Sequence, residues 1–250
     1  ELQVNAGDEN GAVNGELVEA EIVRDRGRGL PAARVRERLG DMSDQRNISL
    51  IAINQHGIPH EFPEKVIQES ERLKPFSQGK RGDLRNVPLV TIDPPDARDH
   101  DDAVWAEIDP ETGGTHIIVA IADVAAYVRP GTALDREARI RGNSVYFPDR
   151  VVPMLPERIS NDLCSLKPNV DRAALAVRMV IGSDGRKRSH TFHRIMMRSA
   201  AKLAYQQAQF AIGGRTDEDT ETLVNPGLEP LYGAYETLQR ARGQRQPAHI

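Results

Sequence analysis

At 250 residues the chain can bury one good core, or one domain and part of another. A hydrophobic content of 39% beside 28% charged residues describes a soluble globular protein, and a net charge of −4 argues mildly against a general nucleic-acid binder. One cysteine excludes an intramolecular disulfide and suits a reducing, cytoplasmic setting; no run is long and apolar enough to span a bilayer, so no membrane partner is expected.

Residues 1–20 are acidic and polar, without the apolar region of a signal peptide. From Gly15 to Val23 apolar and polar residues alternate, as in a half-buried strand, and they alternate again from Ala32 to Leu39. Asn47 to Asn54 is a third apolar run (Ile48, Leu50, Ile51, Ile53). Read as three short strands with Gly-rich turns, residues 1–57 suit part of a small β domain. Arg24, Arg26, Arg28, Arg34, Arg36 and Arg38 crowd this segment, and Arg186, Lys187, Arg188, Arg194 and Arg198 form a second basic run. Each run is either a solvated face or a phosphate-attracting patch. Residues 1–57 hold no Phe, Tyr or Trp, so a base-stacking platform is missing there.

Residues 58–87 read as a linker. It opens with Ile58 to Pro63, carries a helix from Glu64 to Leu73 with Pro63 at its first turn, and continues as the polar stretch Lys74 to Asn86.

The next stretch organises the chain. Apolar Val87, Leu89, Val90 and Ile92 lead into Asp93, Asp96, Asp99, Asp101 and Asp102, and Ala103, Val104, Trp105, Ala106 and Ile108 follow. Both flanks read as strands, so the acids sit on a loop between two sheet elements, with Pro94 and Pro95 stopping the first strand. Clustered carboxylates resist ionising beside one another unless solvated or joined by a cation. Hard oxygen donors without sulfur favour Mg²⁺ or Mn²⁺ over zinc. One or two of these acids are also plausible as simple turn residues. An EF-hand fails: counting from Asp99, Val104 falls where Gly is required and Pro110 where Glu is required.

Asp109 to Gly114 reads as a hairpin turn. The returning strand, His116 to Asp123, is nearly all apolar and belongs at the centre of a sheet, with Asp123 read as a turn acid at its end. Leu134 to Arg141 reads as a helix with Leu134, Ala138 and Ile140 on or near one face. Asn143 to Phe147 reads as extended. Ala173–Gly182 and Thr191–Arg198 read as a strand pair joined at Ser183-Asp184-Gly185, and Ser199–Ile212 as an amphipathic helix carrying Tyr205. His100, His190 and His193 are expected to be solvated or hydrogen-bonded rather than metal ligands. On residue type alone, Tyr146 is a core or rim aromatic.

Thr91-Ile92-Asp93 followed by Asp96-Ala97-Arg98-Asp99-His100-Asp101-Asp102-Ala103 resembles the acidic motif that opens the RNB catalytic domain of the ribonuclease II/ribonuclease R exoribonucleases. Further stretches match in order: Ile118 to Val124, Ser144 to Pro148, Pro153 to Pro156, Leu163-Cys164-Ser165-Leu166, and Lys202-Leu203-Ala204-Tyr205.

The resemblance implies an α+β fold: a partial cold-shock, OB-type β-barrel domain over 1–57, the linker, and the first half of an RNB domain over 88–250. It implies processive 3′→5′ hydrolysis of single-stranded RNA to nucleoside 5′-monophosphates, with Mg²⁺ (or Mn²⁺) as cofactor. It assigns Asp93, Asp99, Asp101 and Asp102 as metal ligands, Asp101 and Asp99 as catalytic, and Tyr146 and Tyr205 as RNA contacts; Asp96 stays outside the quartet.

By the same resemblance the chain is a piece of a longer protein. The family's catalytic arginine and base-clamping aromatic are expected beyond it, and turnover by residues 1–250 alone is expected to be impaired. Two other classes remain open: a metal-dependent phosphodiesterase or phosphatase acting on small substrates, and a non-catalytic RNA-binding module.

Overall fold

The protein is described from a computed structural model covering residues 1–23, 30–41 and 45–243. Arg24, Arg26 and Arg28 of the first basic run lie outside the described residues.

The chain runs through β1 (Gln3–Val4), β2 (Glu16–Val23), β3 (Ala32–Asp41), α1 (Gln45–Gln55), α2 (Glu64–Arg72), β4 (Gly82–Asp83), β5 (Val90–Asp93), β6 (Asp102–Ile108) and β7 (Thr115–Ala122). It continues through α3 (Val124–Tyr127), α4 (Ala133–Arg141), β8 (Val145–Tyr146), β9 (Val151–Val152), a wide π-type turn (Arg158–Leu163), β10 (Asp171–Ile181), β11 (Lys187–Arg198) and β12 (Ala201–Ala204). Then come α5 (Tyr205–Ile212), a second wide turn (Val224–Leu228) and α6 (Glu229–Gly243). The expected α+β class holds. No helix among the described residues is long and apolar enough to cross a membrane.

One compact unit comprises residues 1–62 and 140–154. The two alternating segments of the sequence become β2 and β3, which pair antiparallel from Glu16 opposite Asp41 to Val23 opposite Ala32, and β1 joins β3 in parallel. The third apolar run is not a strand. It is α1, and its four apolar residues do not share one environment: Ile53 is 1% exposed while Ile48 is 62% exposed.

The helix persists because polar residues anchor its buried side. Asn47 Nδ2 donates to the Asp41 carbonyl at 2.6 Å, and Ser49, also buried, donates to Asp149. Gly57 takes φ +61°, its N–H bonds Asn54 O at 3.1 Å, and the Ile58 N–H bonds Ile53 O at 2.9 Å, the paired bonds of a Schellman stop. Arg34, Arg36 and Arg38 pair with Asp8, Glu21 and Glu16, acids of the same unit. These arginines behave as a solvated, salt-bridged face, and such exposed pairs stabilise little.

The second unit comprises residues 63–139 and 155–250. Its seven-stranded sheet has the order β12-β5-β6-β7-β10-β11-β4. The outer pairs β12/β5 and β11/β4 are parallel and the inner pairs antiparallel, so β7 occupies the centre, as its continuous apolar run requires. One face is covered by α5, the second wide turn and α6. There Val90, Ala201, Leu203, Ala208, Ala211, Leu223 and Leu228 form one apolar cluster, and Ala106, Ile117, Ile181 and Ala234 another. The β10–β11 turn presses against α6 at Gly185 (φ +73°), where an added Cβ would lie 2.7 Å from the Thr237 carbonyl oxygen.

Two sequence expectations change in this unit. Residues 199–212 are not one helix: Ala201–Ala204 is β12, paired parallel to β5, and the helix begins only at Tyr205. The sign was period-two burial, with Ala201 and Leu203 buried between partly exposed neighbours. In α4, Leu134 is buried as expected, but Glu137 rather than Ile140 accompanies it; Ile140 is 70% exposed. The α6 helix was not anticipated.

Candidate active site

The acid loop leaves the sheet at Asp93, the last residue of β5, and returns at Asp102, the first of β6. Asp93 is buried and Asp102 exposed. His100, 4% exposed, donates Nδ1–H to Asp93 Oδ2 at 2.9 Å, which orients that carboxylate. His100 is thus hydrogen-bonded, as expected, but buried rather than solvated. His190 and His193 engage Lys187 and Thr191 at 3.0 and 2.8 Å.

The loop backbone is tied from outside at successive residues. Lys202 Nζ donates to Ala97 O at 3.1 Å. Ser165 Oγ, fully buried, donates to Arg98 O at 3.1 Å and receives the His100 N–H at 3.4 Å. The Leu166 N–H donates to His100 O at 2.6 Å, and the Ala122 N–H to Asp101 O at 2.8 Å. Arg172, 6% exposed, holds the far side of the Ser165 peptide through Nε to Ser165 O at 3.0 Å and reaches Asp162 at 3.2 Å. Asp99 is therefore carried between two backbone groups that one buried hydroxyl fixes. None of Ser165, Lys202 or Arg172 was assigned a role from sequence, although the first two lie in stretches singled out there. Their action on residues 97–100 is visible only once β12 and the segment after the first wide turn come alongside.

Asp101 and Asp102 bear the effect of this crowding. Burial is the main cause that pushes the Asp101 carboxyl above the ordinary aspartate value, with Asp102, Asp99 and Asp93 adding repulsion. Asp102 is raised in the same direction, by burial first and then by Asp93. Both reach solvent, yet the surrounding protein and neighbouring acids disfavour their charge. No described Lys or Arg forms an ion pair with either. Asp96 is exposed and contributes to neither shift.

Hard carboxylate donors that repel one another suit a divalent cation. Among the described residues, no three His, Cys, Asp or Glu side chains already converge tightly enough to hold one. An ion would have to draw the carboxylates together.

Asp123 lies at the end of β7, as read, but it is a buried structural ion pair rather than a solvated turn acid. It is 4% exposed, with Arg81 Nη2 at 2.7 Å and Arg194 Nε at 3.8 Å. Cys164 is buried, and desolvation together with Asp123 pushes its thiol up to about 12, so it is unreactive at neutral pH. Tyr205, 57% exposed, is the first residue of α5 and follows Ala204, which sits opposite Asp93 in the parallel β12/β5 register. Gln207 fixes that helix start by accepting the Ala204 N–H at 3.1 Å. Tyr146, 66% exposed, stands on the β8–β9 hairpin of the other unit, not in the core.

The RNB domain family model matches residues 81–249, and the cold shock domain model matches residues 1–63. Ribonuclease R of Acidithiobacillus ferrooxidans is 42% identical over 239 residues, 93% of this chain and 54% of that protein. Ribonuclease R of Vibrio cholerae is 45% identical over 244 residues, 94% of this chain and 29% of that protein. The structure of Mycoplasma genitalium RNase R in complex with ribose methylated single-stranded RNA superposes with a TM-score of 0.85 at 27% identity, covering 96% of this chain and 38% of that one. The chain thus spans about half or less of the length of these relatives.

Proposed function

The chain belongs to the RNB domain family, with ribonuclease R proteins as its relatives, and from that premise we propose that the intact protein is a processive exoribonuclease. It hydrolyses single-stranded RNA from the 3′ end and releases nucleoside 5′-monophosphates in the cytoplasm. The observation that carries this reading is the placement of Asp93, Asp99, Asp101 and Asp102 on one externally braced loop, where burial first and the neighbouring acids next raise the Asp101 and Asp102 carboxyls. Perturbed carboxylates of this kind are a mark of functional sites.

Asp93, Asp99, Asp101 and Asp102 would hold Mg²⁺ or Mn²⁺, which supplies polarisation of the scissile phosphate and a more acidic attacking water. The chain's own contribution is positional. His100 orients Asp93; Ser165 and Lys202 fix the backbone that carries Asp99; the Ala122 amide anchors Asp101. Asp101, the acid most strongly surrounded by like charge, manages the proton of the attacking water. Tyr205 at the start of α5 and Tyr146 on its hairpin offer exposed rings on which terminal bases stack.

The test is product analysis on a labelled single-stranded oligoribonucleotide with Mg²⁺. Mononucleotides appearing from the 3′ end from the earliest times support the reading. Turnover of small phosphodiesters but not of RNA would make the protein a small-substrate phosphodiesterase. RNA binding without any cleavage would make it a binding module.

The loop braces carry a prediction of their own. Ser165→Ala removes two hydrogen bonds to the residues flanking Asp99, and small misplacements cost up to ~10²-fold in rate. Turnover is expected to fall by ~10-fold or more while RNA affinity is unchanged. Parallel kinetics and filter binding check this, and an equal loss in affinity would contradict the positioning role.

A further inference from the structure

We infer that the β8–β9 hairpin carrying Tyr146 is held in place by helix α1 of the first unit, with Ser49 as the positioning residue; the inference rests on the RNA contact proposed above for that tyrosine. Residues 140–154 fall inside the span that the RNB domain model matches. They nevertheless pack into one compact unit with residues 1–62, which the cold shock domain model matches. A stretch of RNB sequence is thus built into the other unit.

The hairpin cannot hold itself. It has two residues per strand, Val145 opposite Val152 and Tyr146 opposite Val151, and so short a ribbon is not stable alone in water. It is tied at both ends. At its base the Met154 N–H bonds Ser144 Oγ at 3.0 Å. Arg141 donates there to the Pro153 carbonyl at 3.1 Å and to the Glu61 carbonyl at 2.6 Å, with its guanidinium over the Phe62 ring at 3.7 Å. At its tip the Phe147 N–H bonds Arg150 O at 2.8 Å, closing a turn in which Asp149 accepts the Ser49 hydroxyl.

Ser49 lies in α1 at 5% exposure, where a serine ordinarily bonds back to its own helix. Here it reaches across 100 residues of chain to the hairpin instead. That bond is the main cause holding the Asp149 carboxyl below the ordinary aspartate value, with Arg150 adding to it. The acceptor is therefore ionised at neutral pH, and hydrogen bonds to an ionised acceptor are the strong ones. The ties at the base fix where the hairpin starts; the Ser49–Asp149 bond fixes where its tip points, three residues from Tyr146. Residues 1–57 bring no Phe, Tyr or Trp of their own. The contribution of α1 to RNA handling is then mechanical: it steadies a ring that another part of the sequence supplies.

The experiment is a double-variant cycle between Ser49 and Tyr146 in the intact protein, read in EDTA as fluorescence anisotropy of a single-stranded oligoribonucleotide. Tyr146→Ala is expected to weaken binding ~10-fold, the scale of one lost base stack. Ser49→Ala is expected to fall between that variant and the parent, and to add nothing once residue 146 is alanine, as coupled positions do. Asp149→Ala removes the same bond from the hairpin side and is expected to match Ser49→Ala, while Ser49→Thr keeps the hydroxyl and is expected to restore binding. Without RNA, hydrogen exchange at the Phe147 amide is expected to quicken in Ser49→Ala, and circular dichroism checks that each variant folds. Parental affinity of both bond-deleting variants beside a weakened Tyr146→Ala overturns the inference, as does unchanged exchange at Phe147. An equal loss from Ser49→Ala in both backgrounds overturns it too, by assigning the effect to the β unit at large. Parental affinity of Tyr146→Ala removes the RNA contact itself, and the positioning role with it. Failure here is separable from failure of the nuclease reading, because the latter is judged by metal-dependent turnover and this test contains none.

Discussion

Asp101→Asn is expected to cut the turnover of single-stranded RNA by ~10²–10⁴-fold, the range ascribed to a positioned acid or base. Asparagine keeps the shape and the backbone, so the Ala122 amide still bonds residue 101. It removes the charge that would bind a cation and accept a proton. Contacts to the RNA are made elsewhere, so affinity is expected to change little, the signature of an interaction made only in the transition state.

The variant should lose no stability. In the folded chain the Asp101 carboxyl titrates above its ordinary value because of burial and then Asp102, Asp99 and Asp93. A raised acid favours the fold while protonated, and that contribution disappears as pH climbs through the folded-state value. At neutral pH without metal, Asp101→Asn is therefore at least as stable as the parent. Single-turnover kinetics, filter binding and urea unfolding on the same preparations check all three expectations. Near-parental turnover would remove Asp101 from the chemistry, and a large loss of stability would turn its role into a structural one.

Arg81→Ala is expected to cost ~3–5 kcal/mol of stability, the penalty for leaving one member of a buried ion pair behind. Both side chains are withdrawn from water, at 11% and 3% exposure, with Arg81 Nη2 2.7 Å from Asp123 Oδ2. The contact is ionic rather than a well-directed hydrogen bond: among the described residues neither Asp123 Oδ2 nor Arg81 Nη1 has a hydrogen-bond partner. The arginine also lies over the Phe76 ring at 5.2 Å, and that ring packs on Tyr127, the last residue of α3, at 4.7 Å, so its loss loosens the end of α3 as well. Arg194, 3.8 Å from the same Asp123 oxygen, offsets part of the loss and pulls the expectation toward the lower figure. Replacing both partners, Arg81→Met with Asp123→Asn, should recover most of the deficit, because the uncompensated charge is gone. Urea denaturation of the single and double variants decides it; a single variant within about 1 kcal/mol of the parent would mean that water already solvates Asp123.

Sequence alone determined the features that short-range pattern controls. The acid loop between β5 and β6, the hairpin that returns as β7, the central place of β7, and the β10–β11 pair all follow from alternation, apolar runs and turn residues within a few positions of one another. The resemblance carried by Asp93 to Ala103 was legible for the same reason: its residues are contiguous.

Tertiary structure decided what depends on partners distant in the chain. Residues 47–54 are a short apolar run that suits strand or helix equally, and only the burial of Asn47 and Ser49 against Asp41 and Asp149 selects the helix. Ala201–Ala204 became a strand because β5, more than a hundred residues earlier, offers it a parallel edge. Ser165 and Lys202 acquire their hold on the acid loop across separations of 67 and 105 residues. Asp123 reads as a turn acid until Arg81 is folded against it. Hydrogen bonds and ion pairs of this kind have no periodicity to betray them, since the spacing that matters to them is in space and not along the chain.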